Sequence, residues 1–204
     1  MLKTLEQKKS HRKRLARLFS IFICVLLAIL YLGYHLDSVQ RKMFYPYPYQ
    51  EIVEKYAIKY RVDSSLCASV INRESKFKID AESHRGALGL MQLMPETAKW
   101  IAEQINEKDF TLEKLQDPET NIRFGVWYLS SLQHEFKYNE VLMLAAYNAG
   151  RGNVHEWMDE YGWDYEFDDP KQIPFDETKK YVADVILGKT KYRKLYHHKV
   201  PQGG

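Results

Sequence analysis

The sequence predicts a mostly α-helical domain of roughly 150 residues behind one membrane-spanning helix, and three observations lead there. Nineteen consecutive residues, 18–36, carry no formal charge. Beyond them, apolar residues recur at helical spacing in one segment after another, most opened by a capping residue or a proline. Strand-like alternation is scarce. With 204 residues and 45% hydrophobic content, the chain suffices for one ordinary domain and an accessory segment. Cys24 and Cys67 are its only cysteines, too few for a disulfide framework or a Cys-based zinc cluster.

The net charge of +3 is divided unevenly. Residues 1–17 carry seven basic side chains against Glu6 and stand at +6; the remainder, with 23 basic against 26 acidic groups, stands at −3. A helix over 18–36 rises about 1.5 Å per residue and covers roughly 28 Å, the depth of a bilayer's hydrocarbon core. The basic cluster ahead of it outweighs Arg41 and Lys42 behind it, which predicts an N-terminus in the cytoplasm and residues from about 37 onward on the outer side of the membrane. Leu30, Tyr31 and Tyr34 crowd the end of the segment without a small-x-small cleavage site, so an uncleaved signal anchor is preferred to a removed signal peptide. A basic terminus also suits nucleic acid. Its place directly before a spanning segment makes topology the simpler account, and no nucleic-acid partner is expected. Residues 37–48 read as a linker, with Pro46 and Pro48 favouring extended chain over 44–49.

Six helices follow in order. Ile52, Val53, Tyr56 and Tyr60 share one face. Asp63 is placed to cap the next helix, whose Cys67, Val70 and Ile71 form a stripe. Pro95-Glu96 opens a third, and Asp117-Pro118-Glu119 a fourth with Ile122, Val126, Leu129 and Phe136 inside. Asn139-Glu140 starts a fifth carrying Val141, Leu144 and Ala145. Asp176 is placed to cap the last, with Tyr181, Val182, Val185 and Ile186 inward. The loop 80–94 contains Gly86 and Gly89, and Gly150 and Gly152 flank Arg151, where a helix C-cap is the ordinary reading.

Glu74 stands i+3 from Ile71, i+4 from Val70 and i+7 from Cys67, so it extends the apolar stripe of its own helix. It also falls near that helix's C-terminus, where the dipole disfavours negative charge. Desolvation and dipole both favour the protonated form that a general acid needs near neutral pH. The bland alternative is a last-turn Glu that points to solvent or pairs with Arg73 or Arg85. Asn148 bears the same relation to Ala145, Leu144 and Val141, with Tyr147 beside it. Two helices that each end an inner face in a polar group line a cleft for a polar ligand, although an interhelical structural Asn accounts for Asn148 equally well.

Four blocks then stand in order: Glu74-Ser75-x-Phe77; Gly86-Ala87-Leu88-Gly89-Leu90-Met91-Gln92-Leu93-Met94-Pro95; Ala146-Tyr147-Asn148-Ala149-Gly150; and Ile173-Pro174-Phe175-x-Glu177-Thr178-x-x-Tyr181-Val182. Together they resemble the ordered signature of the soluble-lytic-transglycosylase family over about residues 49–196. The resemblance implies a lysozyme-like, mostly α catalytic domain over 49–196 with a tail at 197–204. It also implies cleavage of the β-1,4 bond between N-acetylmuramic acid and N-acetylglucosamine in peptidoglycan, leaving a 1,6-anhydromuramic end. In that chemistry one Glu, here Glu74, acts first as acid and then as base, and the substrate's own C6 hydroxyl replaces an activated water. No metal or cofactor is implied.

By the same resemblance the sugar-contacting residues are Ser83, Gln92, Met94, Thr97, Tyr147 and Asn148, with Glu177 and Tyr181 closing the cleft from the last helix. Glu177 is equally well read as a first-turn residue favoured by the helix dipole, and Met91 and Leu93 read as core. Lys78-Ile79 and His84 depart from the family's commoner Asn-Pro and Pro, in loops beside the cleft. His197-His198 reads as a solvated tail. The expected partners are peptidoglycan glycan strands and, through residues 18–36, the membrane; the resemblance makes that membrane the bacterial cytoplasmic one, crossed once, with the catalytic domain on its wall-facing side, and no protein partner is indicated. A hydrolytic muramidase of the same fold and a non-cutting glycan-binding module are the rival functions.

Overall fold

A computed structural model describes residues 2–196, with side chains from residue 13 onward; the His197-His198 pair and the rest of the tail lie outside the described residues. The chain divides into two compact units, the second beginning at Tyr45.

The first unit is helical. Helix α1 spans Leu2–His35 and contains a stretch, Lys13–His35, with a mean hydropathy of 2.5 and no buried share, long and apolar enough to cross a membrane. Leu36 breaks it with an extended backbone, and α2 (Asp37–Met43) follows. Residues 37–43, expected as linker, are therefore helical. Asp37 in the first turn and Arg41 and Lys42 in the last complement the helix dipole, which supports a short helix of weak apolar character.

The second unit is built from α3 (Gln50–Tyr60), α4 (Ser64–Ser75), α5 (Pro95–Gln104), α6 (Pro118–Glu135), α7 (Glu140–Ala149), α8 (Arg151–Tyr161) and α9 (Asp176–Tyr196), with short 3-10 turns at Leu112–Gln116 and Pro170–Gln172. Among the described residues there is no strand, only two isolated bridges, Glu82 with Leu88 and Leu88 with Leu93. The expected caps at Asp63, Asp117 and Asn139 accept hydrogen bonds from N–H groups of the first helical turn. Asp176 is instead the first residue of its helix, and Lys179 N–H reaches back to the Phe175 carbonyl. Residues 44–49 hold no free spacer either. Tyr192 and Tyr196 on α9 donate their hydroxyls to the carbonyls of Pro46 and Tyr45, at 2.8 Å each.

Helix α4 is the centre of this unit. It is buried on nearly every side, including Ser65 and Ser69. Small residues let α9 approach it closely: Ser69 Oγ donates to the Val185 carbonyl at 2.8 Å, and a Cβ on Gly188 would fall 2.2 Å from that oxygen. This contact brings the C-terminal end of α4 to the N-terminal half of α9. Helix α8 was not evident from the sequence. Gly150, at φ 92°, ends α7 and lets a new helix begin at once, while Gly152, expected beside a cap, is inside α8. Only Val154 and Trp157 of α8 are buried, so its apolar stripe is short.

Candidate active site

Glu74 occupies the last turn of α4, as its spacing predicts. The turn is fixed from below by Ser75, whose hydroxyl lies 2.8 Å from the Leu90 carbonyl and 3.2 Å from that of Ile71. After Lys76 and Phe77, both at positive φ, the chain runs into the irregular segment 78–94. Asn121 of α6, wholly buried, holds that segment in place. Its Oδ1 accepts Met91 N–H at 2.8 Å, and its Nδ2 donates to the carbonyls of Leu88 at 3.0 Å and Leu115 at 2.9 Å. Gly89 and Gly125 leave the room this needs, since a Cβ on Gly89 would meet Asn121 Nδ2 at 2.1 Å and one on Gly125 would meet Met91 Sδ at 2.3 Å.

The result is a cleft of about 600 Å³ with Glu74 in its wall. Ser83, Gln92, Met94 and Thr97 line it from the loop and the start of α5; Tyr147 and Asn148 line it from the end of α7, and Glu177 from the start of α9. Tyr181 is not on the surface expected for it. It is 1% exposed, buried beside Glu74 with no complete hydrogen bond to its hydroxyl, although that hydroxyl is close enough to bear on the carboxyl. Leu93, read as core, is nearly buried but touches the cleft, while Met91 is fully buried.

Several of these side chains are already engaged. Tyr147 donates its hydroxyl to the Met91 carbonyl at 2.8 Å, joining α7 to the loop. Gln92, at φ 47°, donates Nε2 to the carbonyls of Ala81 and Gly89, which leaves its amide oxygen as the group for a ligand. Ser83 Oγ accepts Ala87 N–H at 2.9 Å, so its own proton remains available to donate. Asn148 Oδ1 accepts from Thr178 at 2.7 Å, and this turns the amide nitrogen into the usable group.

Burial is the largest influence on Glu74 and pushes its carboxyl up to about 7. The Tyr181 hydroxyl and the Arg73 guanidinium hold it down against that push, and Glu177 adds a smaller upward one. Arg73 is positioned over the Tyr181 ring, 5.5 Å from its centroid, and pairs with Asp184 at 3.2 Å. A carboxyl with this balance is both protonated and ionised in useful proportion at neutral pH, so it can give a proton and take one back. Among the described residues no three His, Cys, Asp or Glu side chains gather as a metal site requires.

His84, expected in a loop beside the cleft, lines it; sequence reasoning missed Tyr128 and Arg85 in the cleft wall, Thr178 behind Asn148, and Asn121 beneath the loop. Asn121 left a signal: Gly125, Tyr128 and Leu129 follow at i+4, i+7 and i+8, the same pattern that exposed Glu74 and Asn148.

Comparison with known proteins adds three findings. A family model described as "Transglycosylase SLT domain" matches residues 51–168 and stops before α9. Soluble lytic murein transglycosylase of Escherichia coli (strain K12) is 32% identical over 151 residues, 73% of this chain and 23% of that protein; membrane-bound lytic murein transglycosylase F of Desulfosudis oleivorans is 32% identical over 154 residues, 69% of this chain and 31% of that protein. Among solved structures, an inactive Glu-to-Gln mutant of lytic transglycosylase Slt from Pseudomonas aeruginosa superposes with a TM-score of 0.70 at 32% identity, covering 79% of this chain and 26% of that one. The chain thus spans about a quarter to a third of the length of these relatives.

Proposed function

The chain belongs to the transglycosylase SLT domain family, and on that premise we propose that it is a membrane-anchored lytic transglycosylase acting on peptidoglycan. Glu74 protonates the glycosidic oxygen between N-acetylmuramic acid and N-acetylglucosamine, and the bond from C1 to that oxygen breaks. The resulting carboxylate takes the proton from the muramic C6 hydroxyl, whose oxygen closes onto C1 as a 1,6-anhydro ring. The proton lost in the first half is regained in the second, and no water is consumed. Attack within one sugar draws on the effective concentration of a tethered nucleophile.

The observation that carries this reading is the half-buried carboxyl of Glu74, raised to about 7 in the wall of a cleft lined by hydroxyl and amide groups. Ser83, Gln92 and Asn148 suit the acetamido and lactyl groups of the glycan, and the Tyr147 ring suits a sugar face. The apolar stretch of α1 and the +6 charge of residues 1–17 support an anchor with the N-terminus in the cytoplasm and the catalytic unit on the outer side.

A second reading has one observation in its favour. Glu177 puts another carboxylate in the same cleft, and two carboxylates flanking a water would make a hydrolase. Mass spectrometry of muropeptides released from purified peptidoglycan by the full chain separates the two. Anhydromuramic ends are expected, and E74Q is expected to lower their release by at least about a thousand-fold with the fold intact. Reducing ends alone would establish hydrolysis instead, and undiminished release by E74Q would remove Glu74 from the mechanism.

A further inference from the structure

Helix α9 has an outer face that takes no part in the cleft, toward the end of the helix away from Glu177. Leu187, Lys191 and Lys194 stand at i, i+4 and i+7 and so share that face. Leu187 is 57% exposed and Lys194 is exposed, and among the described residues neither lysine forms an ion pair. The neighbouring basic groups are engaged elsewhere, Lys189 with Glu140 and Arg193 with Asp63. Between Asp184 and Tyr196 the helix carries four basic side chains and no acid, and Asp184 itself is paired with Arg73 and Lys180. The opposite side of the helix is buried through Val185 and Tyr192. A bare apolar side chain among lysines on the outer face is how a helix meets an anionic lipid surface.

The same end of α9 holds the point where the chain enters the folded unit. Tyr192 and Tyr196 donate to the carbonyls of Pro46 and Tyr45 at 2.8 Å each, and the Tyr45 ring packs edge-on against Tyr192 with centroids 5.6 Å apart. Only eight residues, 37–44, separate Tyr45 from Leu36, the last residue of the uncharged run. Such a length spans at most about 28 Å when fully extended and about 12 Å as a helix, and Asp37–Met43 is helical. By its length alone, the covalent chain keeps this end of α9 within short reach of a bilayer that holds residues 18–36.

We propose that Lys191, Lys194 and Leu187 dock this end of α9 on the anionic headgroups of the bilayer that anchors the chain. The inference rests on the reading of residues 18–36 as a membrane anchor. Lysines are drawn to an anionic leaflet within about a Debye length, roughly 8 Å at physiological salt, and the short tether brings them into that range. Leu187 then enters the headgroup layer while the two ammonium groups stay among the phosphates. Beyond residue 17 the chain carries a net −3, so an anionic surface repels the unit as a whole and accepts it through a locally basic end. Glu177 stands about 20 Å further along the helix, so the docked end and the cleft use different residues.

The test uses the full chain reconstituted in vesicles of phosphatidylcholine, alone or mixed in equal parts with phosphatidylglycerol. A membrane-impermeant ester acylates the outward-facing lysines, and peptide mass spectrometry reads the rate at each. Lys99, Lys108 and Lys171, elsewhere on the unit, are references within the same molecule. Relative to them, Lys191 and Lys194 should react about five-fold more slowly in the mixed vesicles than in phosphatidylcholine alone. Molar salt, with a Debye length of about 3 Å, should abolish the difference. Equal rates in the two lipids overturn the proposal, as does protection that molar salt leaves intact. Protection by soluble wall glycan in neutral vesicles, with none from phosphatidylglycerol, would assign the face to the wall and overturn it too. An alkaline carbonate wash followed by flotation reads the anchor separately. A chain lost from the vesicles overturns the anchor and the docking together, whereas a chain that floats but shows equal rates overturns the docking alone.

Discussion

At the scale of the residue, Glu74 has two opposing influences in view. Burial raises it, and the neighbouring Tyr181 hydroxyl and Arg73 lower it. Because its native pKa of about 7 exceeds the ordinary Glu value, the folded state holds a proton that the unfolded chain releases. Glu74's contribution to stability is therefore fully present below about pH 4.5, declines as pH rises, and is lost above about pH 7. Thermal melts of E74Q and wild type should nearly coincide at pH 4 and separate at pH 8, with E74Q more stable by up to roughly 3 kcal/mol; equal separation at both pH values would contradict the assignment. The same balance sets the rate. Activity should fall as pH passes about 7 and the acid ionises. Y181F removes a group that lowers the carboxyl, so the alkaline limb of its kcat profile should move to higher pH. A loss of rate with an unmoved limb would make Tyr181 a packing residue only.

At the scale of the element, the site depends on how closely α4 and α9 approach. Gly188 has no room for a Cβ beside Ser69, so G188A should destabilise the protein by about 1–3 kcal/mol. Adding S69G should recover part of that loss, which a double-mutant cycle by denaturant unfolding would measure. Additive effects would show that the two helices do not press on each other at this point. This contact also marks what could be read from sequence. Glu74 and Asn148 were legible because a polar residue that continues an apolar stripe announces itself within one helix. The placement of Tyr181 beside Glu74 was not, because it follows from a helix crossing set by Ser69 and Gly188, residues more than 100 positions apart whose spacing carries no message. Helix α8 escaped for a different reason. Two buried side chains are a faint periodicity, and a glycine on either side of Arg151 reads as a stop, although one of them only turns the corner.

At the scale of the whole molecule, the chain joins an unburied apolar helix to a folded unit whose charge balance is of opposite sign to the N-terminus. The full chain should stay in the pellet when membranes are washed with alkaline carbonate, and a chain starting at Met43 should remain in the supernatant. A full chain released by carbonate would argue against a spanning anchor. The start of that shorter chain matters, because the folded unit begins at Tyr45 and not at the first residue of α3. Four phenols share one habit: Tyr47, Tyr147, Tyr192 and Tyr196 each donate a hydroxyl to a backbone carbonyl, of Ser64, Met91, Pro46 and Tyr45. Three of those carbonyls lie in irregular stretches, two just ahead of α3 and one in the loop behind the cleft wall. Peptidases cut where chain can be drawn out into an extended strand, and such stretches are their usual targets. Here each is clamped by a ring rooted in a helix, so opening it means pulling a tyrosine out of the packing as well. Nicking by a peptidase should therefore begin elsewhere, in exposed turns such as the one at Lys137 and Tyr138, before it reaches the segments that shape the cleft.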